Sequence, residues 1–575
     1  PTSLGSADLL MQAAPMDLYD ADRSTTVREK GGKRSDWGAF DRAFAAIVTT
    51  LKADGGSKLR VLVRPSSSPT VARLRQLASE KFPHARFHTY APVGEANVRE
   101  GGRIAFGQPV TPRYNYAFSK AIVSLDSDFL QAEHGALHAT KGFVRGRRMD
   151  RPSDPMSRLY VVEPALTVTG ANADERLRMP AAHVDAFARA LAAELVNRGI
   201  DLGPIKDAVA GAKAPEGSET FVKACAEDLV ANKTKSVVCA GRRQPPQVHA
   251  LVHAMNTALE NVGRTTIYVP DMDQLHPVDL GADLKALADD VAQNRVDVLL
   301  ILGGNPVYDA PGDIKLAEAI DKVPTSIHLS SHFDETSEHC TWHLPKAHTL
   351  ESWGDGRAFD GTWSIQQPMI APLHGGRSVI EILAKLTDEV QTAHELVRTT
   401  FRERSAAPSR FEGAWKSALK LGLDSGSNSV QFDSHATLPD VATALGKVQV
   451  AKPINAQNME VTFAPDNKLH DGMSANNPWL LECPDPISKV VWDNAALISP
   501  ATAQALGIAP NDKGEVEIIA ISNGAQSIEI AAFIQPGQAD NSIALALGWG
   551  RQNVGRYGNG RGFDVSPLRT IKTMD

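Results

Sequence analysis

Short apolar runs alternate with longer stretches of helical spacing over residues 1–400, an alternation that predicts parallel α/β construction. LRVLVRP (59–65) reads as a buried strand and TVARLRQLASEKF (70–82) as the helix after it. KAIVSLDSDFL (120–130) and SRLYVVEPALTVTG (157–170) read as strands running into loops. HVDAFARALAAELVNRG (183–199) carries apolar residues at helical spacing and stops on a glycine. A second series follows with strand KSVVCAG (235–241), helix PQVHALVHAMNTALENVG (246–263), strand TTIYVP (265–270), helix LKALADDVAQNR (284–295) and strand VDVLLILGGNP (296–306). It closes on TSIHLSSHFDET (325–336).

The pattern changes near residue 401. Residues 401–440 are polar, rich in Ser and Ala and only weakly periodic, as expected of a linker with a helix in it. From 514 to 550 short apolar and polar positions alternate between N-G and P-G turns, which predicts a β-barrel.

Composition narrows the function. At 575 residues, 42% hydrophobic and 22% charged, the chain has the balance of a globular protein of several domains. Its 60 Lys and Arg against 67 Asp and Glu give a net charge of −7, which offers no general attraction for nucleic acid. Cys225, Cys239, Cys340 and Cys483 stand far apart, with no C-x-x-C, so neither an iron–sulfur site nor a disulfide framework is offered. No apolar run is long enough to span a bilayer. The opening PTSLGSADLL lacks a methionine and reads as a processed or trimmed chain.

Several motifs together are more specific than any one of them. ALISPATAQALGIAPNDKGEVEIIA (496–520), SRLYVVEPALTVTGANADERLRM (157–179), LLILGGNPVYDAP (299–311) and HLPKAHTLESWGDGRAFDGTWSIQQPMIAP (343–372) resemble segments of the molybdopterin-dinucleotide oxidoreductases. Within that superfamily, DLYDADRS (17–24), GGNPVYDAPGD (303–313), NNPWLLECPDPISKVVWDNAALISP (476–500) and GRYGNGRGFDVSPLRT (555–570) resemble the molybdopterin-like half of the B subunit of alternative complex III, a membrane quinol:electron-acceptor oxidoreductase. The resemblance runs from end to end.

It implies two interleaved parallel-sheet α/β domains, one from 1–91 with 271–400 and one inserted at 92–270, a linker at 401–440 and a C-terminal β-barrel at 441–575. It also implies a scaffold that holds no pterin, with iron–sulfur clusters in a ferredoxin-like half that would follow Asp575. Partners would be that iron–sulfur domain or subunit, together with haem-c and quinol-binding membrane subunits, on the periplasmic face of a bacterial membrane.

Against active relatives, Ala7 and Asp8 stand near the place of a cluster-ligating cysteine, and Ala165 stands for an arginine. The metal-ligand loop corresponds to 89–107, where Glu95 and Glu100 are the ligand-type side chains. Glu95 would be the ligand under the alternative of an active molybdenum or tungsten enzyme. Asp126 and Asp128 stand where a glycine-rich turn would meet a phosphate, and are expected to repel it. Gly303, Gly304, Asn305 and Pro306 survive as a cradle element at a strand's C-terminal end, and equally suit a plain tight turn.

Three other groupings carry less. His328, His332, His339, Cys340, His343 and His348 lack the paired spacing of zinc motifs and read as hydrogen-bonded side chains. Arg551, Arg556 and Arg561 lie in a glycine-rich stretch that is expected to bridge the barrel to a partner. Ser66, Ser67 and Ser68 lack a nucleophile elbow, so hydrolase chemistry is not indicated.

Overall fold

The strands Leu59–Val63 and Val298–Leu302 are buried at every position, because each is covered on both faces. Leu59, Val61, Val63, Leu300 and Leu302 face one core, lined by the helices Trp37–Ala53, Pro69–Lys81 and Val379–Thr387. Leu62, Leu299 and Ile301 face a second core under the helix Leu280–Ala292. This computed structural model describes residues 3–270, 279–404, 410–427, 435–447, 454–509 and 516–574. Part of the 401–440 stretch and the first residues of the 514–550 alternation therefore lie outside the described residues.

Among the described residues the first sheet has seven strands, in the order 33–34, 28–29, 342–345, 325–330, 298–302, 59–63, 86–89. The five longer strands run parallel. Chain order therefore reverses between 59–63 and 298–302, and the loops after those strands, 64–68 and 303–306, face one crevice. Strands from both sides of residues 92–270 thus share one sheet.

Residues 121–125, 158–163, 175–178 and 236–240 form a separate parallel sheet in the order 175–178, 158–163, 121–125, 236–240. Its reversal lies between 121–125 and 236–240. The antiparallel pair Val110–Tyr114 and Thr266–Pro270 brings the two ends of this segment together.

The C-terminal strands form a five-stranded sheet, 460–464, 542–546, 496–498, 526–534, 518–523. This is a half-barrel, in keeping with the β-barrel that the alternation predicts. Its edges are met by neighbouring elements instead of by each other. Glu460 accepts from the backbone N–H groups of Ala181 and Ala182 at 2.9 and 2.7 Å, and Asn523 Nδ2 donates to the Leu568 carbonyl at 2.9 Å.

The stretch read from sequence as a linker is built into the cores. Phe401, Phe411, Trp415 and Ala418 pack in the core of the first sheet, and Ala436, with Leu438 against it, in that of the second. Its polar composition hides this because only one stripe of each helix is apolar. Trp415→Ala should destabilise the protein by about 3–5 kcal/mol, read as a lower urea midpoint; a true linker residue would change it by less than about 0.5 kcal/mol.

Candidate functional site

Both sheet reversals place loops where α/β folds take ligands. At the first, Gly303 and Gly304 have φ of 90° and 80°, which only glycine adopts freely, so the turn leaves the strand sharply. Asn305 does not cap the short helix Pro306–Asp309. Its Oδ1 accepts from Thr336 N and Oγ1 at 3.1 and 2.7 Å, and its Nδ2 donates to Glu335 at 2.6 Å.

Glu335 is the hub of this network. Its carboxylate accepts from Arg551 Nε and Nη2 at 3.1 and 2.9 Å, and from the backbone N–H groups of Gln552 and Asn553 at 2.8 and 3.1 Å. Arg551 is 4% exposed and also donates to the Gly472 carbonyl at 2.8 Å. Burial raises the carboxyl's pKa, but Arg551 and the N–H donors outweigh it and hold it at about 2. The surviving cradle element is thus bonded to the chain's own C-terminal segment.

Other polar groups gather beside it. Arg64 Nη2 pairs with Asp471, a residue carried in from 407 positions away. Asp309 is buried, its Oδ1 meets no partner among the described residues, and burial pushes its pKa up to about 8. Tyr90 donates to the Asp309 carbonyl at 2.6 Å. Sequence reasoning missed Arg64, Asp309, Lys346 and Asp471; the signal available was that Arg64 directly follows a buried strand, as Gly303 does.

At the second reversal the expected phosphate repulsion takes another form. Asp126 sits at φ 58° and is clasped by Arg243 at 2.7 and 2.8 Å and by Gln244 at 2.9 Å, so its charge is neutralised. Asp128 accepts from Thr169 N and Oγ1 at 3.0 and 2.7 Å. A methyl group on Gly241 would lie 1.8 Å from the Asp126 carbonyl oxygen, so the two strand ends close on each other. A cavity of about 170 Å³ remains nearby, lined by Ala165, Arg242, Arg243, Phe463 and Arg569 among others.

Glu95 pairs with His134 at 2.9 Å. Burial opposes its charge, but His134 and Arg242 outweigh burial and hold it at about 2, while Glu95 lifts His134 to about 9. Glu100 pairs with Arg103 on the exposed face of its helix. Asp8 caps the helix Leu9–Leu18 by accepting from Met11 N at 2.8 Å. Ser68 caps the helix Pro69–Lys81 and donates to Asp355.

The histidines each have hydrogen-bond work. His343 meets Ser24 at 2.7 Å and Ser337 at 2.9 Å, and Ser337 also meets His328 at 3.0 Å. His332 pairs with Asp20 and His339 with Asp321, and His348 caps Leu350 N. No group of three His, Cys, Asp or Glu side chains among the described residues is arranged to hold a metal ion. Within the chain, the glycine–arginine stretch expected to bridge to a partner places Arg551 on Glu335, Arg556 on Asp22 at 2.8 Å, and Arg561 over the Trp492 ring.

The architecture matches that of acetylene hydratase from Pelobacter acetylenicus, with a TM-score of 0.69 at 14% identity over 96% of this chain and 89% of that one. The chain has a molybdopterin-oxidoreductase fold. It is also 23% identical to the menaquinone reductase, molybdopterin-binding-like subunit of Nitratidesulfovibrio vulgaris Hildenborough, aligned over all of this chain and 85% of that protein. No protein-family profile matches it.

The Glu335 network yields a stability test. Arg551→Met should cost about 3–5 kcal/mol because it strands a half-buried carboxylate and removes the buried guanidinium that holds it, and adding Glu335→Gln should recover part of that loss. Since the folded Glu335 pKa lies below its ordinary 4.5, its contribution is full above pH 4.5 and lost as pH falls toward about 2. Urea midpoints measured from pH 6 to pH 3 should therefore fall less steeply in the double variant than in the wild type.

Proposed function

We propose that this chain is a non-catalytic scaffold with a molybdopterin-oxidoreductase fold, holding no pterin or metal, inside a membrane complex that passes electrons to or from a quinone. One observation carries the reading. At both sheet reversals polar side chains that could meet a dinucleotide are engaged within the chain, fully at the second through Asp126–Arg243–Gln244 and in part at the first through Asn305–Glu335–Arg551. Two pterin dinucleotides bring several phosphates, each needing cationic or N–H partners. The 170 Å³ cavity falls below the ~300–1,000 Å³ of ordinary small-molecule sites. The residues present do not fit the cofactor.

The likeness to a subunit named for menaquinone reductase supports the quinone-linked setting. The finer assignment extends the motif resemblance to the B subunit of alternative complex III. It places the chain on the periplasmic face, beside an iron–sulfur domain or subunit and haem-c and quinol-binding membrane subunits. No described helix is long and apolar enough to cross a membrane.

Elemental analysis of protein purified from its native membrane should give molybdenum and tungsten far below one atom per chain, with no pterin fluorescence after acid extraction. Near-stoichiometric metal would overturn the reading and promote Glu95 to a candidate ligand. Glu95→Gln should leave quinol-dependent electron transfer by the assembled complex unchanged; a loss of tenfold or more would count against a scaffold role.

A further inference from the structure

The crevice at the first sheet reversal has more positive charge than the protein neutralises. A methyl group built on Gly303 would lie 3.5 Å from Lys346 Nζ, and one on Gly304 would lie 3.4 Å from Arg64 Cγ and 4.0 Å from its Nη1. Two cations thus converge on one double-glycine turn from separate strands. Arg64 is paired with Asp471, whereas the Lys346 amine has no acceptor among the described residues. The Gly303, Gly304 and Asn305 N–H groups likewise donate to no described acceptor.

The surroundings do not restore the balance. Arg23 is matched by Glu351, and Glu335 is used by Arg551. His328 presents Nε2 to the Gly304 carbonyl at 3.1 Å, and His348 is held neutral near pH 7 by burial. Asp309 is mostly protonated at that pH, because burial pushes it up to about 8. Burial and the neighbouring Arg64 hold Lys346 itself at about 8, so a protonated amine there lacks a counter-charge. Arg64, Lys346 and Asp471 together leave one net positive charge beside three free N–H donors.

We propose that the Gly303–Gly304 turn, with Arg64 and Lys346, binds one small inorganic oxyanion of the phosphate or sulfate class. A single tetrahedral oxyanion supplies the missing negative charge and several acceptor oxygens. Backbone N–H groups at a strand end and half-buried cations suit such a group. The site rests on the reading of the chain as pterin-free, since a bound dinucleotide would compete for the same turn.

The test is calorimetric titration of the purified full chain with inorganic phosphate and with sulfate, in chloride buffer of matched ionic strength. Saturable binding of about one anion per chain is expected, weakened at least tenfold in Lys346→Gln and kept within a few-fold in Lys346→Arg, with circular dichroism showing both variants folded. No saturation in the wild type, or equal binding by Lys346→Gln, would overturn the site. If Lys346→Gln does not fold, acetylation of the wild type read by mass spectrometry decides: phosphate should slow labelling of Lys346 selectively, and unchanged labelling overturns the proposal. Stoichiometric molybdenum in the native protein would overturn the pterin-free reading itself, whereas absence of anion binding in metal-free protein removes only this site.

Discussion

The half-buried Glu335 carboxylate joins the turn that ends the strand Val298–Leu302 to the Gly472 loop and the segment 551–553, through Asn305 and Arg551. Taking a carboxylate and a guanidinium out of water costs several kcal/mol each, and the cost is met only where nearly every donor and acceptor finds a partner. Glu335 meets that condition by accepting from five donor groups. Once made, the arrangement fixes where the half-barrel lies against the first sheet. Arg64–Asp471 and Tyr308, whose hydroxyl donates to the Trp549 carbonyl at 2.7 Å, then fall across the same seam. The crevice where that seam meets the sheet reversal is consequently internal, polar and rigidly populated.

The two reversals engage their charges by different physical means. At the first, Arg64 and Arg551 are held in internal pairs beside a double-glycine turn. At the second, Asp126 adopts a left-handed conformation that Asp tolerates better than most residues, and clasps Arg243. A guanidinium held this way by a carboxylate is no longer available to an external phosphate. Ala165 then leaves that wall of the cavity without a cation of its own.

Much of the fold was legible because it rests on local periodicity. Five-residue apolar runs such as 59–63 and 298–302 can be little else than strands buried on both faces. The Asn523–Gly524 pair marked a hairpin, with Gly524 at φ 63°. The chemistry was less legible because it depends on pairs far apart in sequence. Glu335 and Arg551 are 216 residues apart, Arg64 and Asp471 are 407, and neither pair has a local pattern. Asp126 was visible as a departure, but its neutralisation by Arg243 was not, since a carboxylate's effect depends on what else reaches it. The C-terminal half-barrel was legible through its alternation, which reports which face of a strand is wet.

A fold of this kind can outlive its ligand because the energies are separable. The strands of both parallel sheets are covered by their own helices, and that burial of apolar surface is present whether or not the strand ends hold anything. N–H groups and cations gathered at strand ends are solvated poorly by water alone in a closed crevice. Carboxylates of the chain meet three such cations here, Asp126 for Arg243, Asp471 for Arg64 and Glu335 for Arg551. Each such pair ties together elements far apart in sequence, so both strand ends are joined to distant segments of the chain, and Lys346 stands out because no carboxylate meets it among the described residues.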